Sequence, residues 1–234
     1  MPFRHAPELE LLCEALGTLE TGFGNLSDSH AHYDLAGVGE VLRETARRMQ
    51  DNYPYHHPRY AGQMLKPPHP VARLAYALSL WLNPNNHALD GGRASSAMEL
   101  ECVAAIARMF GLPEWLGHLC GGGTMANLEA LWVAGQLQPG CILASGQAHY
   151  THARLSEVLK LEFEPVPVTS SGSMDVVALR DLLKTRKVGT VVATIGTTGV
   201  GAVDPLADIL ALRDEFGFRV HADAAYGGYF HIAD

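Results

Sequence analysis

The sequence predicts an α/β fold in which a mainly parallel sheet is flanked by helices. From residue 118 onward, short apolar runs alternate with stretches of helical periodicity. The run at 188–195 is continuous, apolar and rich in β-branched residues, which is typical of a strand buried on both faces of a parallel sheet. Helices that alternate with such strands form right-handed crossovers between them.

Composition sets the class of protein. The chain has 234 residues, of which 47% are hydrophobic and 18% charged, so it suits one large globular domain or part of one. A net charge of −8 argues against nucleic acid or an anionic membrane as a partner. No apolar run reaches the ~18 residues of a membrane helix, and the four cysteines show no paired spacing. We therefore expect a cytoplasmic protein without a metal site or disulfides.

Residues 1–94 predict a helical N-terminal segment, with helices near 6–20, 34–50 and 71–82. Asp34 is the expected N-cap of the second helix. Five prolines between residues 51 and 70 indicate an irregular loop. That loop carries Tyr60 and Gln63, which suit either an ordinary surface or the lining of a site. Ser96 and Glu99 have the spacing of a capping box that opens the next helix.

Residues 95–234 predict an incomplete large domain. The expected strands cover 141–144, 161–168, 188–195 and 218–222. The expected helices cover 124–137, 149–160 and 175–186. Asp175 is the expected cap of the third, and Asp204 caps a further helix. In such a sheet, ligands bind beyond the carboxyl ends of the strands. The loops at 121–124, 145–149, 194–199 and 223–228 are therefore the candidate site.

The first of these loops has the features of a phosphate site. Three glycines precede Thr124 at the expected start of a helix, where free backbone amides can bind an anion. The spacing fits neither a dinucleotide fingerprint nor a Walker loop, so a nucleotide-binding fold is disfavoured.

The other three loops complete the constellation. His149 follows one strand, Thr194 ends another, and Asp223 ends the last with Ala224 and Ala225 beside it. A carboxylate that is partly withdrawn from water needs a cationic partner. A planar ring with a protonated nitrogen and a phosphate, which describes pyridoxal phosphate, would suit all four loops. A lone histidine is more often structural, but the place of His149 at the ligand end of the sheet favours a role in the site.

The chain resembles the group II pyridoxal-phosphate-dependent amino acid decarboxylases, which include the glutamate and aromatic amino acid decarboxylases. The resemblance runs from about residue 56 to the end. It rests on the segments His57-Pro-Arg-Tyr60, Gly122-Gly-Thr-Met-Ala-Asn-Leu-Glu-Ala130, Ala148-His-Tyr150, Val192-Ala-Thr-Ile-Gly-Thr-Thr198 and His221-Ala-Asp-Ala-Ala-Tyr226. It implies the aspartate-aminotransferase-like fold (fold type I), a homodimer and decarboxylation of an L-amino acid.

The resemblance also implies roles for individual residues. Asp223 would bind the pyridine nitrogen, and His221 would support it. His149 would stack on the ring and take part in proton transfer, while Ala225 would pack on the opposite face. The remaining roles concern oxygen atoms of the cofactor: Gly123 and Thr124 would hold the phosphate, and Thr194 would lie near the phenolic oxygen.

The family's Schiff-base lysine is expected beyond the aspartate segment, and none of Lys66, Lys160, Lys184 and Lys187 occupies such a position. We expect the chain to be a fragment of a longer enzyme that is inactive alone. Two alternatives stay open: another fold-type I enzyme, such as an aminotransferase or lyase, and a non-catalytic short paralogue that dimerises with a full-length partner. The sequence does not identify the substrate.

Overall fold

The computed structural model describes residues 6–24, 34–62, 64–88 and 90–233. The chain divides into two compact units, residues 1–96 and 97–234. The sequence placed the functional boundary between residues 94 and 95, and that assignment of domains stays a prediction. Gln63 lies outside the described residues. No helix in the described ranges is both long enough and apolar enough to cross a membrane.

The first unit is helical. Its helices are α1 (Ala6–Phe23), α2 (Leu35–Met49) and α3 (Pro70–Ser79), and α4 (Arg93–Met109) begins within it. Asp34 caps α2 as predicted, because its carboxylate accepts the Gly37 amide at 3.1 Å. Helix α1 ends at Phe23, three residues beyond the predicted end at residue 20, since an isolated glycine such as Gly22 costs a helix only about 1 kcal/mol. The described residues of the proline-rich loop form no helix or strand up to His69, as predicted, and Pro70 begins α3.

The predicted capping box at Ser96 is also wrong. The helix already begins at Arg93, and the Ser96 amide donates to the carbonyl of Gly92 at 2.8 Å. Glu99 instead accepts the Leu119 amide at 2.8 Å. The local spacing of serine and glutamate was therefore not used for capping, because a contact distant in sequence engages the glutamate.

The second unit confirms the predicted α/β fold. Its elements are α5 (Gly123–Leu137), β1 (Cys141–Ser145), α6 (Thr151–Val158), β2 (Phe163–Val166), α7 (Val176–Thr185), β3 (Val188–Thr194), α8 (Leu206–Phe216), β4 (Arg219–Asp223) and a 3₁₀ turn (Gly228–Ile232). The strands form one sheet in the order β2-β1-β3-β4, and all three pairings are parallel.

Two apolar layers cover the sheet. On one face, Leu143 and Val191 pack with Leu179 of α7 and Ile209 of α8. On the other face, Ile142 and Val192 pack with Leu131 of α5 and Leu155 of α6. Successive strand residues point to opposite faces, and both faces are covered, so β1 and β3 are mainly apolar along their length. The second face matters for function, because α5 and α6 bring polar side chains to the carboxyl edge of the sheet.

Asp204 does not cap α8 as predicted. The helix begins at Leu206, and the Asp204 carboxylate accepts the amides of Met174 and Thr194, each at 2.8 Å. The residue is 1% exposed, and this burial raises the pKa of its carboxyl group against the opposing effect of the two hydrogen bonds. The carboxylate therefore ties the segment before α7 to the end of β3, which fixes the backbone of Thr194.

Candidate active site

Two of the predicted site residues lie side by side at the carboxyl edge of the sheet. Thr194 of β3 is in register with Asp223 of β4. The amide of Ile195 donates to the Asp223 carbonyl at 2.9 Å, so the two strands leave the sheet together. The loops beyond them also touch: a Cβ built on Gly227 would meet the Ile195 carbonyl oxygen at 2.0 Å. Only glycine permits that close approach.

The start of α5 meets the loop after Asp223. Gly122 precedes the helix with φ of 101°, a conformation that favours glycine, and no side chain caps the helix. A Cβ built on Gly123 would lie 3.0 Å from the Cβ of Ala225. The predicted phosphate residues Gly123 and Thr124 are thus brought next to the aspartate loop. The first-turn amides of α5 are available to an anion at this point.

Asp223 is the centre of a buried hydrogen-bond network. Its Oδ2 lies 2.9 Å from Nε2 of His152 and accepts the Asn127 amide at 3.2 Å. Its Oδ1 accepts the Ala225 backbone amide at 3.1 Å. Asp223 is 8% exposed, Asn127 5% and His152 0%. Three donors therefore orient the carboxylate, which stands at the end of β4 with little access to water.

His221 is linked to Asp223 through another residue, and its supporting role stays a prediction. Its Nε2 lies 2.7 Å from Oδ1 of Asn127. Because Asn127 donates its amide to the carboxylate of Asp223, its oxygen must accept, and His221 must donate. The ring of His221 thereby fixes which way the Asn127 amide faces.

The network controls the ionisation of both end groups. Burial opposes the ionised form of Asp223, but the hydrogen bonds from His152, Ala225 and Asn127 outweigh it and lower the carboxyl pKa to about 2. Burial also lowers the pKa of His221 to about 4, helped by the neighbouring His152 and opposed by Asp223. At neutral pH the site therefore holds an ionised aspartate and a neutral His221.

His149 occupies the loop between β1 and α6. Its Nδ1 lies 2.9 Å from the Thr151 hydroxyl, and its ring packs against that of Tyr150 with centroids 4.3 Å apart. The ring is half-buried, whereas Thr151 is buried. Because Thr151 engages Nδ1, Nε2 is the nitrogen that remains for a ligand.

Thr194 carries a hydroxyl that lacks a partner. The residue is 3% exposed, and its Oγ1 has no hydrogen bond within the part of the chain that the structure describes. Leaving a buried hydroxyl unpaired costs about 1–3 kcal/mol. A ligand oxygen at this edge of the sheet would supply the missing partner.

His152 and Asn127 are two members of the network for which the sequence predicted no role. Asn127 lies within the segment that carried the family resemblance, three residues after Thr124, and His152 lies three residues after His149. Helical periodicity provides the signal for His152, because it shares the buried face of α6 with Leu155. Their shared contact with Asp223 depends on strand register, which local periodicity does not give.

Comparison with known proteins agrees with this geometry. The family profile described as "Pyridoxal-dependent decarboxylase conserved domain" matches residues 136–234. This match assigns residues 136–234 to the pyridoxal-dependent decarboxylase family. It is 31% identical over 195 residues to a probable L-tyrosine/L-aspartate decarboxylase of Methanothrix thermoacetophila, covering 82% of this chain and 49% of the relative. It is 29% identical to the L-aspartate decarboxylase of Thermococcus kodakarensis, covering 83% of this chain and 50% of the relative.

Solved structures share the fold of this chain. Mouse CSAD in its apo form superposes with a TM-score of 0.76 at 23% identity, covering 91% of this chain and 49% of that structure. Oryza sativa TDC with PLP and tryptamine gives a TM-score of 0.73 at 17% identity, covering all of this chain and 60% of that structure. The chain spans about half the length of the curated relatives that it matches.

The cofactor of this family is pyridoxal 5'-phosphate, and the residues present fit it. The ionised Asp223 suits a protonated ring nitrogen, and the free amides at the start of α5 suit a phosphate. The unpaired hydroxyl of Thr194 suits an oxygen substituent of the ring. The individual roles of the seven residues named from the sequence stay predictions.

Mild acid is expected to destabilise the fold through His221. Its pKa is lowered to about 4 in the folded chain, so between pH 6.5 and pH 4 the unfolded chain binds more protons. Its stabilising contribution is complete above pH 6.5 and is lost as the pH falls to about 4, by at most about 3 kcal/mol. Asp223 adds a loss only below its ordinary pKa of 3.8, as the pH falls towards 2.

Urea unfolding at pH 7.5, 6, 5 and 4.2 measures this effect. The free energy of unfolding should fall with pH, and His221→Gln should flatten the dependence. The exposed His87 provides the control, because His87→Gln should leave the slope unchanged. An unchanged slope in His221→Gln would contradict the assignment.

Proposed function

We propose that this chain forms the cofactor-binding part of an enzyme that decarboxylates an L-amino acid. The observation that carries the proposal is the ionised, nearly buried carboxylate of Asp223 at the carboxyl end of β4. An anion that three donors hold at the edge of a sheet is suited to a cationic ring nitrogen. Membership of the pyridoxal-dependent decarboxylase family supports the same reaction.

Asp223 would pair with the ring nitrogen and keep it protonated. The amides and hydroxyl at Gly123 and Thr124 would bind the phosphate. Ala225, whose methyl group lies against the start of α5, would pack on one face of the ring without blocking it. When bound, pyridoxal phosphate supplies an electron-accepting ring that stabilises the negative charge left when carbon dioxide departs.

His149 would pack on the other face of the ring. The hydrogen bond between its Nδ1 and the Thr151 hydroxyl sets the plane of the imidazole, so that Nε2 can hold or donate a proton beside the substrate. Thr194, fixed by the bond from its amide to Asp204, would offer its hydroxyl to the phenolic oxygen. These residues hold the reacting groups in place and leave the electronic chemistry to the cofactor.

The relatives point to acidic and aromatic amino acids as substrates. Those named above are called L-aspartate decarboxylase and probable L-tyrosine/L-aspartate decarboxylase. The enzyme that contains this chain should release carbon dioxide from one of L-aspartate, L-glutamate, L-tyrosine and L-tryptophan when pyridoxal phosphate is present. Carbon dioxide release is measured against formation of the keto acid. Keto acid without carbon dioxide would favour an aminotransferase, and neither product would favour a non-catalytic chain.

The positions of the lysines predict that this chain alone does not turn over an amino acid substrate. Lys160 follows α6, Lys184 lies near the end of α7, and Lys187 lies just before β3. All three are therefore on the side of the amino edge of the sheet. The seven residues of β3 separate that edge from Asp223 by about 20 Å. Lys66 belongs to the first unit, where it donates to the Tyr60 carbonyl at 2.6 Å.

Borohydride reduction of the 234-residue chain with added pyridoxal phosphate checks this prediction by mass spectrometry. We expect no stoichiometric covalent adduct on these four lysines and no carbon dioxide release. A single lysine labelled in stoichiometric amount, with turnover, would show that the chain carries its own cofactor lysine.

We also propose that the enzyme is a homodimer in the cytoplasm, as the family resemblance implies. Helix α2 has no buried residue, and its Leu35, Val38 and Leu42 form an exposed apolar stripe at helical spacing. A second copy would cover it. Leu42→Glu should halve the mass measured by light scattering, whereas Glu40→Lys on the opposite face should not. A dimer that persists in Leu42→Glu would remove α2 from the interface.

A further inference from the structure

His152 is a buried polar group that the proposed roles above do not use. Its ring is 0% exposed and lies on the face of α6 that packs towards the sheet with Leu155 and Ser156. Nε2 reaches Asp223 at 2.9 Å, but Nδ1 has no hydrogen-bond partner among the described residues. A buried unpaired nitrogen costs about 1–3 kcal/mol, which an aliphatic side chain of similar size would avoid. The imidazole therefore has a cost to stability that packing alone does not justify.

The network directs three N–H groups towards the Asp223 carboxylate. An ionised aspartate can only accept, so Nε2 of His152 must carry the hydrogen that it shares with Oδ2. Asn127 donates to the same oxygen from the side of α5, and His221 orients Asn127. The two donors approach Oδ2 from two helices, so Oδ2 is held by side chains while Oδ1 is held by the backbone amide of Ala225.

We propose that His152 is a positioning residue for the cofactor: its Nε2–H holds the Asp223 carboxylate in the orientation that pairs with the ring nitrogen. This inference rests on the proposed function, because it needs pyridoxal phosphate at Asp223. Without His152, the carboxylate can rotate about its last bond and loses one of two donors on Oδ2. The ring nitrogen then loses a fixed ionic partner and is less fully protonated.

The test compares three variants of the holoenzyme at His152 and Ser156. His152→Leu removes the donor at similar volume, and His152→Gln keeps an N–H near the position of Nε2. Ser156→Ala is the matched control, because Ser156 is buried one turn further along the same face of α6. The first readout is the ¹⁵N chemical shift of the ring nitrogen in labelled pyridoxal phosphate, and the second is the dissociation constant of the cofactor.

His152→Leu should move the ring-nitrogen shift towards the neutral form and weaken cofactor binding about 10- to 100-fold, the cost of a hydrogen bond to a charged group. His152→Gln should restore both readouts most of the way, and Ser156→Ala should change neither. Circular dichroism confirms that each variant is folded. In the cofactor-free protein, the imidazole ¹⁵N shifts of His152 should show hydrogen on Nε2.

The role of His152 and the proposed function are overturned by different results. If the wild type binds the cofactor and His152→Leu changes neither the shift nor the affinity, the role of His152 is wrong and the proposed function stands. If His152→Leu does not fold, His152→Gln becomes the deciding variant. Its ring-nitrogen shift must then match that of the wild type. If the wild-type holoenzyme binds no pyridoxal phosphate, both proposals fail.

Discussion

Replacing Asp223 by alanine is expected to abolish most of the activity of the proposed decarboxylase. Asp223→Ala removes the only carboxylate in the network at the end of β4 and leaves the donors of His152, Asn127 and Ala225 without their acceptor. Breaking one member of a buried ion pair typically costs about 3–5 kcal/mol. That energy corresponds to cofactor binding weakened by about two to four orders of magnitude.

Turnover should fall further than binding. The ring accepts electrons well only while its nitrogen is protonated, so saturating the variant with pyridoxal phosphate should not restore the rate. Dissociation constants and saturated turnover rates measure the two effects separately. Asp214→Ala is the control: Asp214 pairs with Arg213 on the exposed face of α8, and such surface pairs contribute only about 0–1 kcal/mol. Wild-type turnover in Asp223→Ala would refute the assignment of the site.

The sequence predicted the elements whose signals are local. The β-branched run gave β3 to within one residue, because a strand buried on both faces needs no information from the rest of the chain. Asp175 was expected to cap α7, and its carboxylate accepts the amides of Val177 and Ala178. The alternation of strands and helices gave the sheet class and therefore the edge at which the candidate site lies.

Errors arose where a local signal competed with a distant partner. Asp204 precedes proline as a helix cap would, yet its carboxylate is used 30 residues away at Met174. The same limit hid the Asp223 network, because His152 and Asn127 lie 71 and 96 residues before Asp223 along the chain. His152 and Asn127 read locally as ordinary helical positions. Only the pairing of β3 with β4, together with α5 and α6 on one face, brings them to the carboxylate.

The role of His149 can be separated from its shape. His149→Phe keeps a planar ring that can stack but removes both nitrogens, whereas His149→Ala removes the ring as well. Loss of a positioned acid or base typically costs 10²- to 10⁴-fold in rate. We therefore expect His149→Phe to lower turnover by about that factor while cofactor affinity stays within a few-fold of wild type. His149→Ala should weaken affinity in addition.

Two neighbours of His149, Tyr150 and Thr151, provide the comparison variants. Tyr150 packs its ring against His149 but is 61% exposed, so Tyr150→Leu should change neither affinity nor turnover by more than a few-fold. Thr151 bonds Nδ1, so Thr151→Val should free the imidazole to rotate and lower turnover less than His149→Phe does. If His149→Phe turned over like the wild type, the imidazole would only stack. The proton would then have to come from a group other than His149.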